Sequence, residues 1–327
     1  MRILAMGDGK VTKEESSRLL AQEGYCVFRV KACGICGSDI PRVLGHAAYH
    51  YPLVVGHEFS GIVEDSTRRE LIGRRACVFP ILPCGKCESC QKQQWASCVS
   101  YDYYGSRRDG GMQDRLLIKE ENLVFLPDSV SFSAGAMTEP AAVCLHAVKK
   151  AMLKKGSRVL IFGAGAIGLL CGMWSRRMGA EVFFSDPDCE RIEFARSLGF
   201  SDCDGESGFD AVIEASGAGA ALTEAIRRIK PCGRIILVGH GRDVSISHDV
   251  YVQILRKQIV LEGSWNSDRC DYADDWEDSL SAMADGSVTP EALISHEMLL
   301  SNASDAFKII ENKEKYMKIM VVTDDEK

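Results

Sequence analysis

Arg158-Val-Leu-Ile-Phe162, followed at once by Gly163-Ala-Gly165-Ala-Ile167-Gly168, is the stretch that decides the fold. Four apolar residues in a row suit a parallel strand buried on both faces. The glycines then open a helix expected over residues 167–178. In such a motif the first glycine permits a tight turn and the second lets backbone approach a pyrophosphate. The third lets the helix pack close to the strand. The helix start also offers free N–H groups and a positive dipole end to phosphates. Asp186 ends the next expected strand, where a carboxylate can accept both ribose hydroxyls of NAD and repel the 2′-phosphate of NADP. Its other reading is a cap for the following helix. Arg191 either reaches the adenosine or sits on a solvated helix face.

The same alternation of strand and helix continues on both sides of this motif. Glu181–Ser185, Phe209–Glu214, residues 234–238 and residues 259–262 read as further strands, with a helix over 188–198. This predicts a doubly wound parallel sheet with one strand and helix missing or minimal, because the link 199–208 is short and polar. Residues 1–140 have a different texture: short β-like runs at 25–31, 59–64, 76–79 and 115–118, broken by glycine and proline. After residue 289 come a helical stretch, 302–312, and a final strand, 318–322, able to return to the first domain.

The β-rich part carries metal-ligand chemistry. Cys84, Cys87, Cys90 and Cys98 have the spacing of a four-thiolate structural zinc site, with Pro83, Gly85 and Lys86 supplying turn chemistry. Ordinary buried thiols or two disulfides are the bland alternative. A second set is dispersed: Cys36 in Cys33-Gly-Ile-Cys36-Gly-Ser38-Asp39, His57 in Gly56-His57-Glu58, and Glu139 before Pro140. A thiolate, an imidazole and a carboxylate would leave zinc one open position, which distinguishes a catalytic from a structural ion. Spacing alone does not bring these segments together.

In this order, the Gly34-Ile-Cys-Gly-Ser-Asp39 and Gly-His-Glu motifs, the cysteine tetrad, Glu-Pro and the glycine loop resemble the zinc-dependent medium-chain alcohol and polyol dehydrogenases over nearly the whole chain. The resemblance implies an α/β protein with an N-terminal GroES-like β-rich catalytic domain, residues 1–140, holding both zinc sites. A Rossmann NAD domain would follow over 141–285, and residues 286–327 would return to the catalytic domain. Cys36 and His57 match ligands of the catalytic zinc, and the tetrad those of the structural zinc. Glu139 matches the third ligand of polyol-type members. Glu58 matches a glutamate that either supports the ligands or enters the coordination sphere, so the choice between the two stays open. Ser38 would help carry the proton, and Asp39 would orient His57. Many members have a histidine where this chain has Pro41, which excludes a histidine relay there. The segments 65–71 and 199–208 are shorter than usual.

A narrower resemblance, to members acting on polyol phosphates such as galactitol 1-phosphate, rests on three stretches. They are His50-Tyr-Pro52, Tyr101-Asp-Tyr-Tyr-Gly-Ser-Arg107-Arg108-Asp-Gly-Gly111, and Leu255-Arg-Lys with Gly263-Ser-Trp265. Arg107 and Arg108 could hold a phosphate or pair with Asp102 and Asp109. Trp265 and Ser38 join them as candidate substrate contacts.

Composition fits an enzyme of this kind. The 327 residues allow two cores, and 46% hydrophobic with 26% charged residues is an ordinary globular profile. A net charge of −7 argues against nucleic-acid partners. No apolar run is long enough for a signal peptide core or a membrane span. Fourteen cysteines in a chain this size suggest a reducing cytoplasm. The expected partner is a small polyol or polyol phosphate, in a homodimer or homotetramer. An unphosphorylated polyol of the sorbitol or xylitol type and threonine are the rival substrates. The rival of another class is a zinc-ribbon interaction module joined to a nucleotide sensor.

Overall fold

The computed structural model describes residues 1–241, 244–270 and 273–324. The chain forms two compact units: Met1–Glu139 together with the chain from Asp268 onward, and Pro140–Ser267.

The first unit is built on a seven-stranded sheet. Leu123–Phe125, Arg75–Val78, Glu58–Asp65, Tyr25–Gly34, Lys318–Val322 and Ile294–Leu299 lie in that order, and Arg115–Lys119 also pairs with Tyr25–Gly34. Tyr25–Gly34 is the central strand, buried along nearly its whole length. Phe28 and Phe59 meet edge to face at 6.2 Å in the core. The final strand runs antiparallel to Tyr25–Gly34, with Met320 opposite Gly34. A short ladder of Ile81–Leu82 against Asp102–Tyr103 closes the base of the cysteine lobe.

The return to this unit begins at Asp268, earlier than the expected residue 286. Side chains of the intervening segment explain the difference. Asp268 accepts the Ala96 N–H at 3.1 Å, Arg269 donates to the Glu121 carbonyl, and the fully buried Trp276 packs edge-on against Phe79 at 5.5 Å.

The second unit holds a six-stranded parallel sheet. Its spatial order is Ser201–Asp202, Glu181–Ser185, Arg158–Phe162, Phe209–Glu214, Ile229–Leu237 and Val260–Gly263. This is the doubly wound order, and the third strand is indeed minimal, two residues long, with no helix between it and Phe209–Glu214. The helix Ala166–Arg177 follows the glycine motif, and Cys189–Ser197 follows the next strand. Val159, Leu160 and Ile161 are wholly buried, as a central parallel strand requires. Ile229–Leu237 starts earlier than the expected 234, because Ile229 already pairs with Phe209 across a register irregularity.

Gly168 shows how tight the helix–strand contact is. A Cβ there would overlap the Gly163 carbonyl oxygen and touch Ile161 at 3.5 Å. Gly168→Ala should therefore destabilise this unit by about 1–3 kcal/mol through overpacking. A lowered thermal midpoint with weakened dinucleotide binding is the expected outcome; an unchanged midpoint would contradict it.

Candidate active site and metal centres

Two groups of metal-ligating side chains form among the described residues, both in the first unit. In the lobe, the sulfurs of Cys84, Cys87, Cys90 and Cys98 converge. The Cys87–Cys90 pair is 3.5 Å apart, and Cys84–Cys90 and Cys87–Cys98 are each 3.9 Å apart. A tetrahedral ion with zinc–sulfur bonds of about 2.3 Å sets sulfur pairs about 3.8 Å apart, so the donors fit zinc. Backbone N–H groups of Cys90 and Val99 hold the Cys87 thiol down at about 6, favouring the thiolate a metal needs. None of the fourteen cysteines forms a disulfide, so the disulfide alternative falls away.

The second group is Cys36, His57 and Glu58, whose ligand atoms lie within 4.8 Å of one another. Cys36 leaves the central strand just before a short helix, Asp39–Val43. Asp39, fully buried, faces His57 Nδ1 at 3.5 Å and accepts the Cys36 N–H at 3.1 Å. It therefore fixes both the imidazole and the thiol-bearing backbone, leaving His57 Nε2 for a metal. Burial would raise the Asp39 carboxyl, but His57 and Arg42 outweigh it and hold it below its ordinary value. Burial likewise opposes charge on His57, yet Asp39 and Cys36 push the imidazole well above its ordinary value. Ser38 is exposed, and its hydroxyl accepts a hydrogen bond from Arg42 at 2.9 Å.

The two glutamates have different partners. Glu58, 1% exposed, pairs with Lys318, 6% exposed, from the final strand. Glu139 stands outside the group of three, and its Oε1 accepts from the Tyr103 hydroxyl at 3.1 Å. Burial, with Glu58 nearby, pushes the Glu139 carboxyl up to about 7 against the opposing pull of His57. Stranding one member of a buried ion pair costs about 3–5 kcal/mol. Losing one neutral hydrogen-bond partner costs about 1–3 kcal/mol. Neither Lys318 nor Tyr103 stood out in the sequence. Tyr103 also packs edge-on against His57 at 5.6 Å and lies 5.9 Å from Tyr101.

Arg107 and Arg108 part company. Arg108 is committed to Asp102, with Nε at 2.7 Å. Arg107 makes no ion pair among the described residues; its guanidinium stacks over Tyr101 at 4.2 Å and Tyr49 at 5.0 Å. Both arginines also line a groove of about 610 Å³ whose wall includes Arg2, Asp109 and Arg115 but none of Cys36, His57, Glu58 or Glu139.

In the second unit the glycine loop is open where a phosphate would approach. A Cβ on Gly165 would meet nothing nearer than Arg191 Nη1 at 3.8 Å. The helix Ala166–Arg177 starts from Gly165 without a side-chain cap, which leaves its first N–H groups to a ligand. Ile167 lies in that first turn. Gly163 takes a positive φ of 95° and packs on Ser216. Asp186 binds the Ala164 N–H at 2.8 Å and the Asp188 N–H at 2.9 Å, tying the loop to the next strand. The cap of the following helix is Asp188, not Asp186. Trp265 is exposed beside the His240 ring at 6.2 Å.

Comparison with known proteins agrees with this fold. Residues 22–128 match the alcohol dehydrogenase GroES-like domain family and residues 166–285 the zinc-binding dehydrogenase family. Galactitol 1-phosphate 5-dehydrogenase of Escherichia coli strain K12 is 30% identical, with 90% of this chain and 91% of that protein covered. Sorbitol dehydrogenase of Halalkalibacterium halodurans is 29% identical, with 94% of each covered. The crystal structure of galactitol-1-phosphate dehydrogenase from Escherichia coli superposes with a TM-score of 0.91 at 27% identity, covering 98% of this chain and 99% of that one. The chain belongs to the zinc-dependent medium-chain alcohol and polyol dehydrogenases.

Proposed function

We propose that the enzyme oxidises a polyol phosphate of the galactitol 1-phosphate type to the ketose with NAD. The observation that carries the phosphate is Arg107. It is a half-buried guanidinium with no carboxylate partner among the described residues, at the end of a row of contacts through Tyr101 and Tyr103 to His57. Arg108, already neutralised by Asp102, is assigned a structural part. The first-named relative acts on a polyol phosphate by its name, which supports the same reading.

Cys36 and His57, with a carboxylate from Glu58 or Glu139, would hold the catalytic zinc, and the four lobe cysteines the structural one. Bound there, zinc supplies Lewis acidity toward the substrate hydroxyl, and NAD supplies the hydride acceptor. Asp39 keeps the imidazole oriented. Ser38 accepts a hydrogen bond from the substrate hydroxyl with its remaining lone pair and passes its own proton to water. The amides after Gly163 and at the helix start bind the pyrophosphate, and Asp186 takes the ribose hydroxyls with Arg191 beside it.

We also propose a homodimer joined at the Val260–Gly263 edge of the parallel sheet. Val260 and Leu261 there are 40% and 42% exposed, and Tyr251 and Leu255 on the preceding helix are more exposed still. An unpaired strand edge with apolar side chains is a template for a second copy. No described helix is long and apolar enough to cross a membrane, and cysteines outside disulfides suit a cytoplasmic setting.

NADH formation with galactitol 1-phosphate, galactitol, sorbitol, xylitol and threonine side by side tests the substrate. The phosphate ester should be preferred, and Arg107→Ala should raise its KM about tenfold while leaving unphosphorylated polyols unaffected. A wild-type preference for an unphosphorylated compound would overturn the assignment. Zinc analysis should give about two ions per chain, falling to about one in Cys36→Ser, with NAD binding retained and turnover lost. Retained turnover in that variant would exclude Cys36 as a ligand.

The Glu139 carboxyl sets a pH dependence. Its folded value of about 7 lies above the ordinary 4.5. In protein stripped of zinc, its contribution to stability is therefore full below about 4.5 and is lost as pH rises through about 7. Zinc uptake must displace this proton at lower pH. The His57 imidazole, held well above its ordinary value, must lose its proton as well. Affinity at this site should therefore weaken as pH falls, by at least about tenfold per unit below about 7, with proton release measurable by calorimetry in two buffers.

A further inference from the structure

Glu58, with Cys36 and His57, forms the tightest group, yet Glu58 is also the carboxylate with the stronger prior attachment. Its partner Lys318 makes no other contact ion pair among the described residues, and both side chains are buried. Cys36 and Glu139 act on Lys318 only at longer range. The fold makes room for this pair. Gly34 lies opposite Glu58 on one side and Met320 of the Lys318 strand on the other. A Cβ on Gly34 would overlap Glu58 Oε2 and stand 3.1 Å from Lys318 Cε. Drawing Glu58 fully onto a metal would leave a buried ammonium without its contact partner, with only the longer-range charges of Cys36 and Glu139 to offset it.

Glu139 faces a neutral partner. The Tyr103 hydroxyl donates to it at 3.1 Å, and letting go strands no charge. Tyr103 itself is held independently of that bond. Its backbone belongs to the Ile81–Leu82 ladder, and its ring packs on His57 and Tyr101. The phenol can therefore release the carboxylate without moving.

We propose that Lys318 and Tyr103 are positioning residues that select between the two carboxylates: Lys318 retains Glu58, and Tyr103 yields Glu139 to the metal. The proposal rests on the reading of Cys36 and His57 as metal ligands. It makes Lys318 a brake on Glu58 and Tyr103 a latch on Glu139. It also separates proximity from availability, since the nearer carboxylate is the one that is locked.

Cobalt(II) is the probe, bound to the full-length protein with zinc kept in the lobe, followed by visible absorption and by competition with a chelator. Glu139→Gln should weaken cobalt binding about 100-fold and shift the absorption bands. Adding Lys318→Met should recover about tenfold of that loss, because Glu58 is freed to replace Glu139. Tyr103→Phe, which keeps the ring, should tighten cobalt binding. Absence of rescue by Lys318→Met, or a larger loss from Glu58→Gln than from Glu139→Gln, would overturn the proposal. If the double variant fails to fold, the comparison of the two single glutamine variants decides alone. Cys36→Ser is the control for the underlying reading. Unchanged cobalt binding in that variant would sink the metal site itself, whereas its loss beside an unaffected Glu139→Gln would sink only the selection.

Discussion

The buried ion pair between Lys318 and Glu58 is the constraint on which the arrangement around Cys36 and His57 depends. It joins the last strand to the strand that starts beside His57, across the central strand Tyr25–Gly34. Two flanking strands can exchange side chains over a middle one only where the middle residue has none, and Gly34 is that residue. The pair therefore requires three strands in register at one point. Breaking it by removing one partner would cost about 3–5 kcal/mol, a large part of the stability of an ordinary domain. The place of Glu58 beside Cys36 and His57 is thus fixed only when the final strand Lys318–Val322 has added to the sheet.

This dependence explains what the sequence disclosed and what it hid. The dinucleotide half was legible because its information is local. The strand Arg158–Phe162, the three glycines and the helix after them are contiguous, and Asp186 follows at the end of the next strand. Each residue could be assigned a job from its neighbours. The tetrad was legible for the same reason, its four sulfurs lying in one short segment. The group of Cys36, His57 and Glu58 was only half legible. Cys36 and His57 announce themselves by residue type, but their meeting depends on the register of two strands. Lys318 reads as an ordinary first residue of an apolar strand, and Tyr103 as one tyrosine among several. Their roles come from contacts distant in sequence, which composition and periodicity do not encode.

The arginine pair shows a different limit. Arg107 and Arg108 are adjacent and chemically identical, so sequence treats them alike. The fold does not. Arg108 falls within reach of Asp102, while Arg107 turns between two tyrosine rings. A guanidinium satisfied by a carboxylate has little charge left to offer a phosphate, whereas one stacked on aromatic faces keeps most of it.

The cysteine lobe acquires a positional meaning from Tyr103. The chain leaves the core at Ile81–Leu82, passes through the four cysteines, and returns at Asp102–Tyr103, paired with the strand it left. Trp95 from within the lobe packs near Phe79, which also meets Trp276, and Asn122 binds the carbonyls of Phe79 and Ile81. The exit and the return are thus both anchored. Tyr103 is the last residue of the return, and it touches His57 and Glu139. A loop that closed less firmly would let this residue drift, and with it the hydrogen bond that restrains one of the two carboxylates. The lobe thus fixes a side chain in contact with His57 and Glu139. Closing the loop with a metal held by the four sulfurs would serve that end better than a small apolar core could, because so short a segment has little surface to bury.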